Sequence, residues 1–139
     1  MQYFMELAIE EAQKAKLRGS VPIGAVIVRN NMLVSTAGNE VIKNSDPTAH
    51  AEILAIRRAC FSLKSHIIDD CDIYVTLEPC AMCAQAISLA RIRRLYFGAY
   101  DTKRGAVNRW VISRTEIIGG VSEIQCTKIL QNFFSERRS

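Results

Sequence analysis

Two short segments of the sequence contain residue types that can bind a metal ion and move a proton. His50 and Glu52 lie two residues apart, and Cys80 and Cys83 follow about thirty residues later. Imidazole nitrogen and thiolate sulfur are typical zinc ligands, and three protein ligands leave the fourth tetrahedral position for water. Zinc lowers the pKa of that water from about 16 towards about 7, and a nearby carboxylate can take the proton. The spacing therefore predicts a catalytic zinc site with three ligands, His50, Cys80 and Cys83, and with Glu52 as the acid–base residue.

The cysteine pair is predicted in the first turn of a helix over residues 80–91, directly after a strand over 72–77. Residues three apart lie on one face of a helix, so Cys80 and Cys83 point to the same side. The helix dipole and the unpaired N–H groups of the first turn favour thiolate over thiol. This is a suitable place for two zinc ligands.

The histidine is predicted in the first turn of a second helix. Asp46 is a good N-cap with Pro47 at the first helical position, or Thr48 caps the helix one turn later. Residues two apart on a helix point about 200° apart. His50 and Glu52 can therefore share one metal only if it lies beyond the N-terminal end of this helix.

Other interpretations of the cysteine pair stay open. A C-x-x-C pair can be redox-active, or it can be half of a structural zinc site whose fourth ligand is His66, Cys60 or Cys71. Glu52 and Pro79 favour the catalytic interpretation, because a structural site has no use for a carboxylate beside the histidine.

The chain as a whole has the composition of a globular protein. Its 139 residues predict one domain, 1–139, and hydrophobic residues are 49% of the total. No apolar run approaches the roughly 20 residues that span a bilayer. The first residues lack the basic start of a signal peptide, so we expect the five cysteines to be reduced in the cytoplasm and no membrane partner.

Basic residues concentrate in the C-terminal third. Residues 91–139 contain ten Lys or Arg and four acids, a net charge of +6, whereas residues 1–90 sum to −2. This asymmetry indicates a polyanionic partner such as nucleic acid. A solvated basic face without a partner is the alternative.

The hydrophobic pattern alternates helices and strands. Helices are predicted over 2–18, from 46–48 onward, over 80–91 and over 121–138, and strands over 23–28, 32–37, 72–77, 95–99 and 116–118. Residues 38–45 are predicted as a loop, and 100–113 as irregular or a short helix. Strand–helix–strand crossovers imply parallel pairs, and the first two strands form a hairpin. The predicted fold is a three-layer α/β/α sandwich with a mixed five-stranded sheet.

Longer runs of the sequence resemble the bacterial tRNA-specific adenosine deaminases of the cytidine deaminase-like superfamily. The matching runs are 22–26 (PIGAV), Asn39, 46–52 (DPTAHAE), 76–83 (TLEPCAMC), 97–101 (FGAYD), Phe133-Phe134 and Arg137-Arg138. The resemblance implies a homodimer that hydrolyses adenosine to inosine at position 34 of a tRNA anticodon stem-loop, with one zinc per chain.

The resemblance also implies roles for individual residues. Glu52 would carry the proton from water to the purine ring nitrogen and then to leaving ammonia. Asn39 and the Ala51 backbone would bind the flipped base, and Asp101 would contact a ribose. Phe133, Phe134, Arg137 and Arg138 of the last helix would lie near the RNA. The same residues have plainer alternatives: Asn39 can end a strand, Asp101 can brace a loop and Phe133 can be core.

The family pattern is broken after Asp101. Residues 102–114 form a shorter segment than usual, without the Asn-His pair expected before the fifth strand. Asn108 is the only asparagine there, and Ser113-Arg114 stands closest to the expected place. Gln125 replaces a common acid.

Two other functions are compatible with a zinc core. A free nucleobase or nucleoside deaminase acting on guanine or cytosine would share it without needing a +6 segment. A non-catalytic, zinc-stabilised RNA-binding module would need no Glu52.

Overall fold

A five-stranded sheet in the spatial order β2-β1-β3-β4-β5 forms the centre of the molecule. The computed structural model describes residues 2–107 and 114–137. In chain order the elements are α1 (Gln2–Leu17), β1 (Gly24–Arg29), β2 (Met32–Gly38), α2 (Val41–Asn44), α3 (Ala51–Leu63), β3 (Cys71–Leu77), α4 (Ala81–Ala90), β4 (Arg94–Ala99), β5 (Glu116–Ile118) and α5 (Glu123–Arg137).

The sheet is mixed, as predicted. β1 pairs antiparallel with both β2 and β3, whereas β3–β4 and β4–β5 are parallel pairs. Asn30 and Asn31 connect β1 to β2 with φ values of 51° and 60°. Two successive residues with positive φ match the twist of a hairpin, and asparagine tolerates this conformation better than most residues.

Helices cover both faces of the sheet, which confirms the three-layer sandwich. Ile27 and Ile73 point to the face covered by α3 and α4, and their neighbours Val26 and Tyr74 point to the face covered by α1 and α5. This alternation follows from the two-residue period of a strand. Each face is sealed by its own apolar cluster, so β1 and β3 are buried almost throughout.

The predicted start of the second long helix was wrong. Asp46 does not cap a helix: its Oδ1 accepts hydrogen bonds from the Thr48 backbone N–H at 2.8 Å and from the Thr48 hydroxyl at 2.7 Å. This local turn satisfies the side chain before a helix can begin, and α3 begins only at Ala51. The predicted loop over 38–45 contains the short helix α2.

The other helices and strands differ from prediction by one or two residues at their ends. Residues 101–107 contain turns but no helix, and 108–113, including Asn108 and Ser113, lie outside the described residues. Among the helices of the described chain, none is long and apolar enough to cross a membrane.

Candidate active site

The three predicted zinc ligands converge on one point. Nδ1 of His50 lies 3.7 Å from Sγ of Cys80 and 3.5 Å from Sγ of Cys83, and all three ligand atoms lie within 4.8 Å of one another. Zinc bonds of about 2.05 Å to nitrogen and about 2.3 Å to sulfur, at tetrahedral angles, separate the two ligand atoms by about 3.6 Å. The donor set and its spacing therefore fit one tetrahedral zinc ion.

Helix starts set the positions of two of these ligands. His50 is the N-cap of α3 (φ −69°, ψ 151°) and Cys80 is the N-cap of α4 (φ −74°, ψ 176°). Their carbonyl oxygens accept the first helical hydrogen bonds, from Leu54 and Ala84. Neither side chain caps its helix, which leaves both free to bind metal. His50 and Cys80 thus lie just before their helices rather than inside the first turn. The metal position lies beyond the N-terminal ends of these helices, as the spacing of His50 and Glu52 required.

The two thiols differ in acidity. A hydrogen bond from Cys83, followed by one with His50, lowers the pKa of Cys80 to about 4. Cys83 has a raised pKa because it donates that hydrogen bond and is more deeply buried. The same contact with the Cys80 sulfur raises the pKa of His50. The surroundings of Cys80 thus favour its thiolate form, and a thiol that coordinates a metal ion loses its proton.

Glu52 is a buried carboxyl group beside the ligands. Only 4% of its surface is exposed, and this burial raises the pKa of its carboxyl group above the ordinary value. It lies in the first turn of α3, two residues after His50, where it borders the same cavity. A carboxyl group with a raised pKa is a better proton acceptor, which is the property that an acid–base residue needs.

A cavity of about 610 Å³ opens onto this site. Six predicted residues line it: Asn39, His50, Glu52, Cys80, Asp101 and Phe134. Residues that the sequence interpretation did not assign to the site line it too, among them Val21, Glu78, Tyr100, Lys103 and Arg104. The cavity therefore has two of the three zinc ligands, His50 and Cys80, and Glu52 on its wall, and cationic and aromatic side chains line it as well.

Two of the predicted substrate residues take part in local hydrogen bonds. Oδ1 of Asn39 accepts the backbone N–H of Val41 at 2.9 Å. Oδ1 of Asp101 accepts the backbone N–H groups of Lys103 at 3.1 Å and of Arg104 at 3.0 Å. Asn39 does end a strand and Asp101 does brace a loop, but both also face the cavity.

Three other predicted substrate residues, Ala51, Phe133 and Arg137, do not line the cavity. Ala51 is fully buried, and the cavity is lined by its neighbours instead. Phe133 is 5% exposed and belongs to the core. Arg137 donates to the Gly19 carbonyl at 2.6 Å and stacks 4.5 Å above the Phe133 ring. Arg138 lies outside the described residues.

Glu78 is a buried polar residue of the cavity wall to which the sequence analysis assigned no role. It is 8% exposed and lies between β3 and the ligand Cys80. The sequence does contain a signal for Glu78, because an acidic residue between an apolar strand and Pro79 is unexpected. This residue was used only as part of the motif 76–83. Its partner, the backbone of Asp101, is 23 residues away in sequence and could not be identified without the fold.

The family to which the chain belongs follows from comparison with known proteins. A family model described as the cytidine and deoxycytidylate deaminase zinc-binding region matches residues 1–99. The chain therefore belongs to this class of zinc-binding deaminases, and the match includes all three ligands and Glu52.

Individual relatives narrow the class. A tRNA-specific adenosine deaminase of Agrobacterium fabrum is 47% identical to the chain, over 98% of this chain and 95% of the relative. A solved structure from a study of A-to-I editing by tRNA:A34 deaminases has a TM-score of 0.89 and 46% identity, and covers 94% of this chain and 100% of its own. Within the class, the chain belongs to the tRNA-specific adenosine deaminases.

The chain is also similar, over a smaller part of its length, to a deaminase with a different substrate in its name. A guanine deaminase structure from Bacillus subtilis has a TM-score of 0.70 and 40% identity, but the match covers 72% of this chain and 64% of that one.

Proposed function

We propose that this protein hydrolyses adenosine to inosine at the wobble position, 34, of a tRNA anticodon, with one zinc ion per chain. The observation that supports it best is the convergence of the three ligand atoms with buried Glu52 on a cavity bordered by cationic and aromatic side chains. The relatives that match nearly their whole length share this substrate class in their names.

The base must leave its stack to reach the site. Enzymes that act on a base in RNA extrude it into a pocket and stack it on aromatic or apolar side chains. The cavity of about 610 Å³ is large enough for one purine nucleoside. Phe134 is 49% exposed and borders the cavity, so its ring can stack on a base.

Glu52 is assigned the proton transfers. When bound to His50, Cys80 and Cys83, zinc supplies a water molecule of lowered pKa. Glu52 takes a proton from the attacking water and delivers it to the purine ring nitrogen. It then takes the second proton and gives it to the amino group, so that the C6–N bond breaks and ammonia leaves. Of the two protons that water loses, one stays on the ring nitrogen and one leaves with ammonia, while the water oxygen bonds to C6 and becomes the carbonyl oxygen of inosine.

Asn39 is assigned the recognition of the base edge. Its Oδ1 is occupied by the Val41 N–H, so its Nδ2 is the group free to donate. A donor at this position suits a ring nitrogen of a purine, such as N7. The basic segment beyond residue 90 would face the phosphates, because charge of this sign attracts the RNA backbone.

The test is conversion of a defined RNA. The purified, zinc-loaded protein is incubated with a tRNA that has adenosine at position 34, and inosine is measured at that position. We expect conversion of the tRNA and no turnover of guanine, cytosine or cytidine. Turnover of a free base without conversion of the tRNA would replace this proposal by the free-base alternative that the Bacillus subtilis guanine deaminase represents.

A structural zinc module is disfavoured by the ligand count. Within residues 2–107 and 114–137, the group able to hold a metal has three members, and Cys60, Cys71 and His66 are not among them. Three protein ligands with an acid beside them are the pattern of a catalytic site.

We also propose that the chain folds as one domain and functions as a homodimer in the cytoplasm. The two apolar clusters lie on opposite faces of one sheet, which supports a single folding unit. Phe61 and Leu89 are 86% and 76% exposed near the ends of α3 and α4, which pack on each other. A partner chain that covers these two side chains would remove their apolar surface from water. Light scattering after gel filtration tests the dimer, and a monomer at all concentrations would contradict it.

A further inference from the structure

Glu78 connects the zinc-binding loop to a second loop of the cavity. Its backbone N–H donates to the Ala99 carbonyl at 2.8 Å, which extends the β3–β4 pairing by one residue beyond Leu77. The next two residues are Pro79 and the ligand Cys80. The side chain of Glu78 is therefore placed at the carboxyl ends of two parallel strands, directly beside the metal ligand.

The carboxylate contacts the segment 101–106 at both of its ends. Oε1 of Glu78 accepts the backbone N–H of Asp101 at 3.1 Å. At the other end, a Cβ atom added to Gly105 would overlap the carboxyl group of Glu78. A side chain at this position would therefore require the Glu78 carboxylate or the segment to move. The Ala106 N–H also donates to the Pro79 carbonyl at 3.1 Å.

The segment held in this way presents two cations to the cavity. The Gly105 N–H donates to the Asp101 carbonyl at 2.9 Å, which closes the turn. The side chain of Asp101 binds the backbone of Lys103 and Arg104 inside that turn. Both cationic side chains are exposed and both line the cavity. Burying a carboxylate is costly unless it is hydrogen-bonded, so a purely packing role would be better served by an apolar residue.

We propose that Glu78 is a positioning residue for RNA: its carboxylate fixes the segment 101–106 against the zinc-binding loop, so that Lys103 and Arg104 meet the phosphates beside the target nucleotide. This inference rests on the proposed function. It assigns Glu78 no part in the chemistry at C6, and it makes Gly105 a steric requirement of the same contact.

The test separates RNA binding from chemistry. In Glu78→Ala we expect KM for the tRNA to rise about tenfold, the size of losing one or two charge-assisted contacts, with a smaller change in kcat. Zinc should stay at one per chain. Glu78→Gln keeps an acceptor oxygen for the Asp101 N–H and should recover most of the KM. Glu10→Ala, at an exposed site on α1, is the matched control for loss of a carboxylate.

The salt dependence of tRNA affinity distinguishes a lost phosphate contact from a general loss of structure. Each lost phosphate contact lowers the slope of log affinity against log salt by about 0.7 for single-stranded RNA. Glu78→Ala should lower this slope, and adding Lys103→Ala should lower it by less than the sum of the two single changes. If Glu78→Ala does not fold, Gly105→Ala displaces the same segment and must give the same reduced slope.

The outcomes that would overturn the inference are distinct. An unchanged KM and salt slope in Glu78→Ala would show that the contact does not position the segment. A fall in kcat by orders of magnitude at unchanged KM would make Glu78 part of the chemistry instead. Failure of the unaltered protein to convert the tRNA would overturn the proposed function itself, because no variant is needed to see it.

Discussion

The zinc end of the cavity and its outer edge are built in different ways. At the zinc end, two ligands are N-cap residues and the third is on the first turn of α4, so each ligand is positioned by the start of a helix, and the packing of α3 on α4 brings His50 to the two cysteines. At the outer edge, no helix start positions the segment 101–106, which is held by contacts between loops, from the Asp101 N–H to Glu78 and from the Ala106 N–H to the Pro79 carbonyl. The comparison teaches that the zinc ligands can be recognised from short sequence motifs, whereas the contacts that hold the outer edge of the cavity can be identified only in the fold.

Removal of zinc is the largest perturbation of the first region. Dialysis against a chelator should abolish deamination, and added zinc should restore it. The reason is that the zinc ion lowers the pKa of the attacking water, and the side chains alone do not. Cys83→Ala should bind less than one zinc per chain and should not be rescued by added metal at ordinary concentrations. Metal content and inosine formation are measured on the same samples. Full activity of the chelated protein would show that deamination does not depend on the metal site.

Glu52→Gln should separate metal binding from proton transfer. The variant keeps the shape of the side chain but cannot take a proton, so we expect kcat to fall by about 10² to 10⁴. Its zinc content should stay at one per chain, because the ligands are untouched. Loss of zinc together with activity would show that Glu52 supports the ligands rather than the reaction.

Neighbouring phenylalanines provide a matched pair for the second region. Phe133 is buried and Phe134 is half exposed at the cavity. Phe133→Ala should lower the free energy of unfolding by about 3 kcal/mol, as for other large core truncations. Phe134→Ala should instead weaken tRNA binding by about 1–3 kcal/mol, the range for one stacked base, with little loss of stability. Denaturant unfolding measures the change in stability, and KM measures the change in tRNA binding. Similar effects of both substitutions would contradict the different roles assigned to Phe133 and Phe134.

The smallest predicted effect lies far from both regions. Burial, with the neighbouring charge of Tyr96 second, raises the pKa of Tyr74 from 10.0 to about 12, and the two rings stack 4.3 Å apart. The unfolded chain therefore releases this proton first, and stability should fall as pH rises from about 10 to about 12. Tyr74→Phe should reduce that fall, whereas Tyr3→Phe, at an exposed ring, should not. Thermal unfolding across this pH range measures it.

Much of the fold could be predicted from the sequence because its strands are short apolar runs bounded by turn residues. The mixed sheet, the hairpin at Asn30-Asn31 and the pairing of two helix starts all follow from such local patterns. The start of α3 did not, because Asp46 and Thr48 prefer to bind each other and the cap position is taken by a metal ligand.

The zinc ligands and Glu52 could be found for the same reason: each set is read within a few residues. The contact of Glu78 could not be found in this way, because it depends on a backbone N–H 23 residues away, whereas the burial of Phe133 agrees with the core alternative that its helical pattern offered. The guanidinium of Arg137 contacts the Gly19 carbonyl and the Phe133 ring, and a role of this residue in RNA binding stays a prediction.

The cap positions of His50 and Cys80 have a consequence for insertions and deletions. Each ligand is counted from the beginning of a helix, not from the end of a loop, so a change of loop length elsewhere leaves the ligand spacing intact. The segment after Asp101 can therefore differ in length and composition without altering the metal site. Changes in the loops that border the cavity can therefore alter substrate preference, while the metal site retains the same reaction.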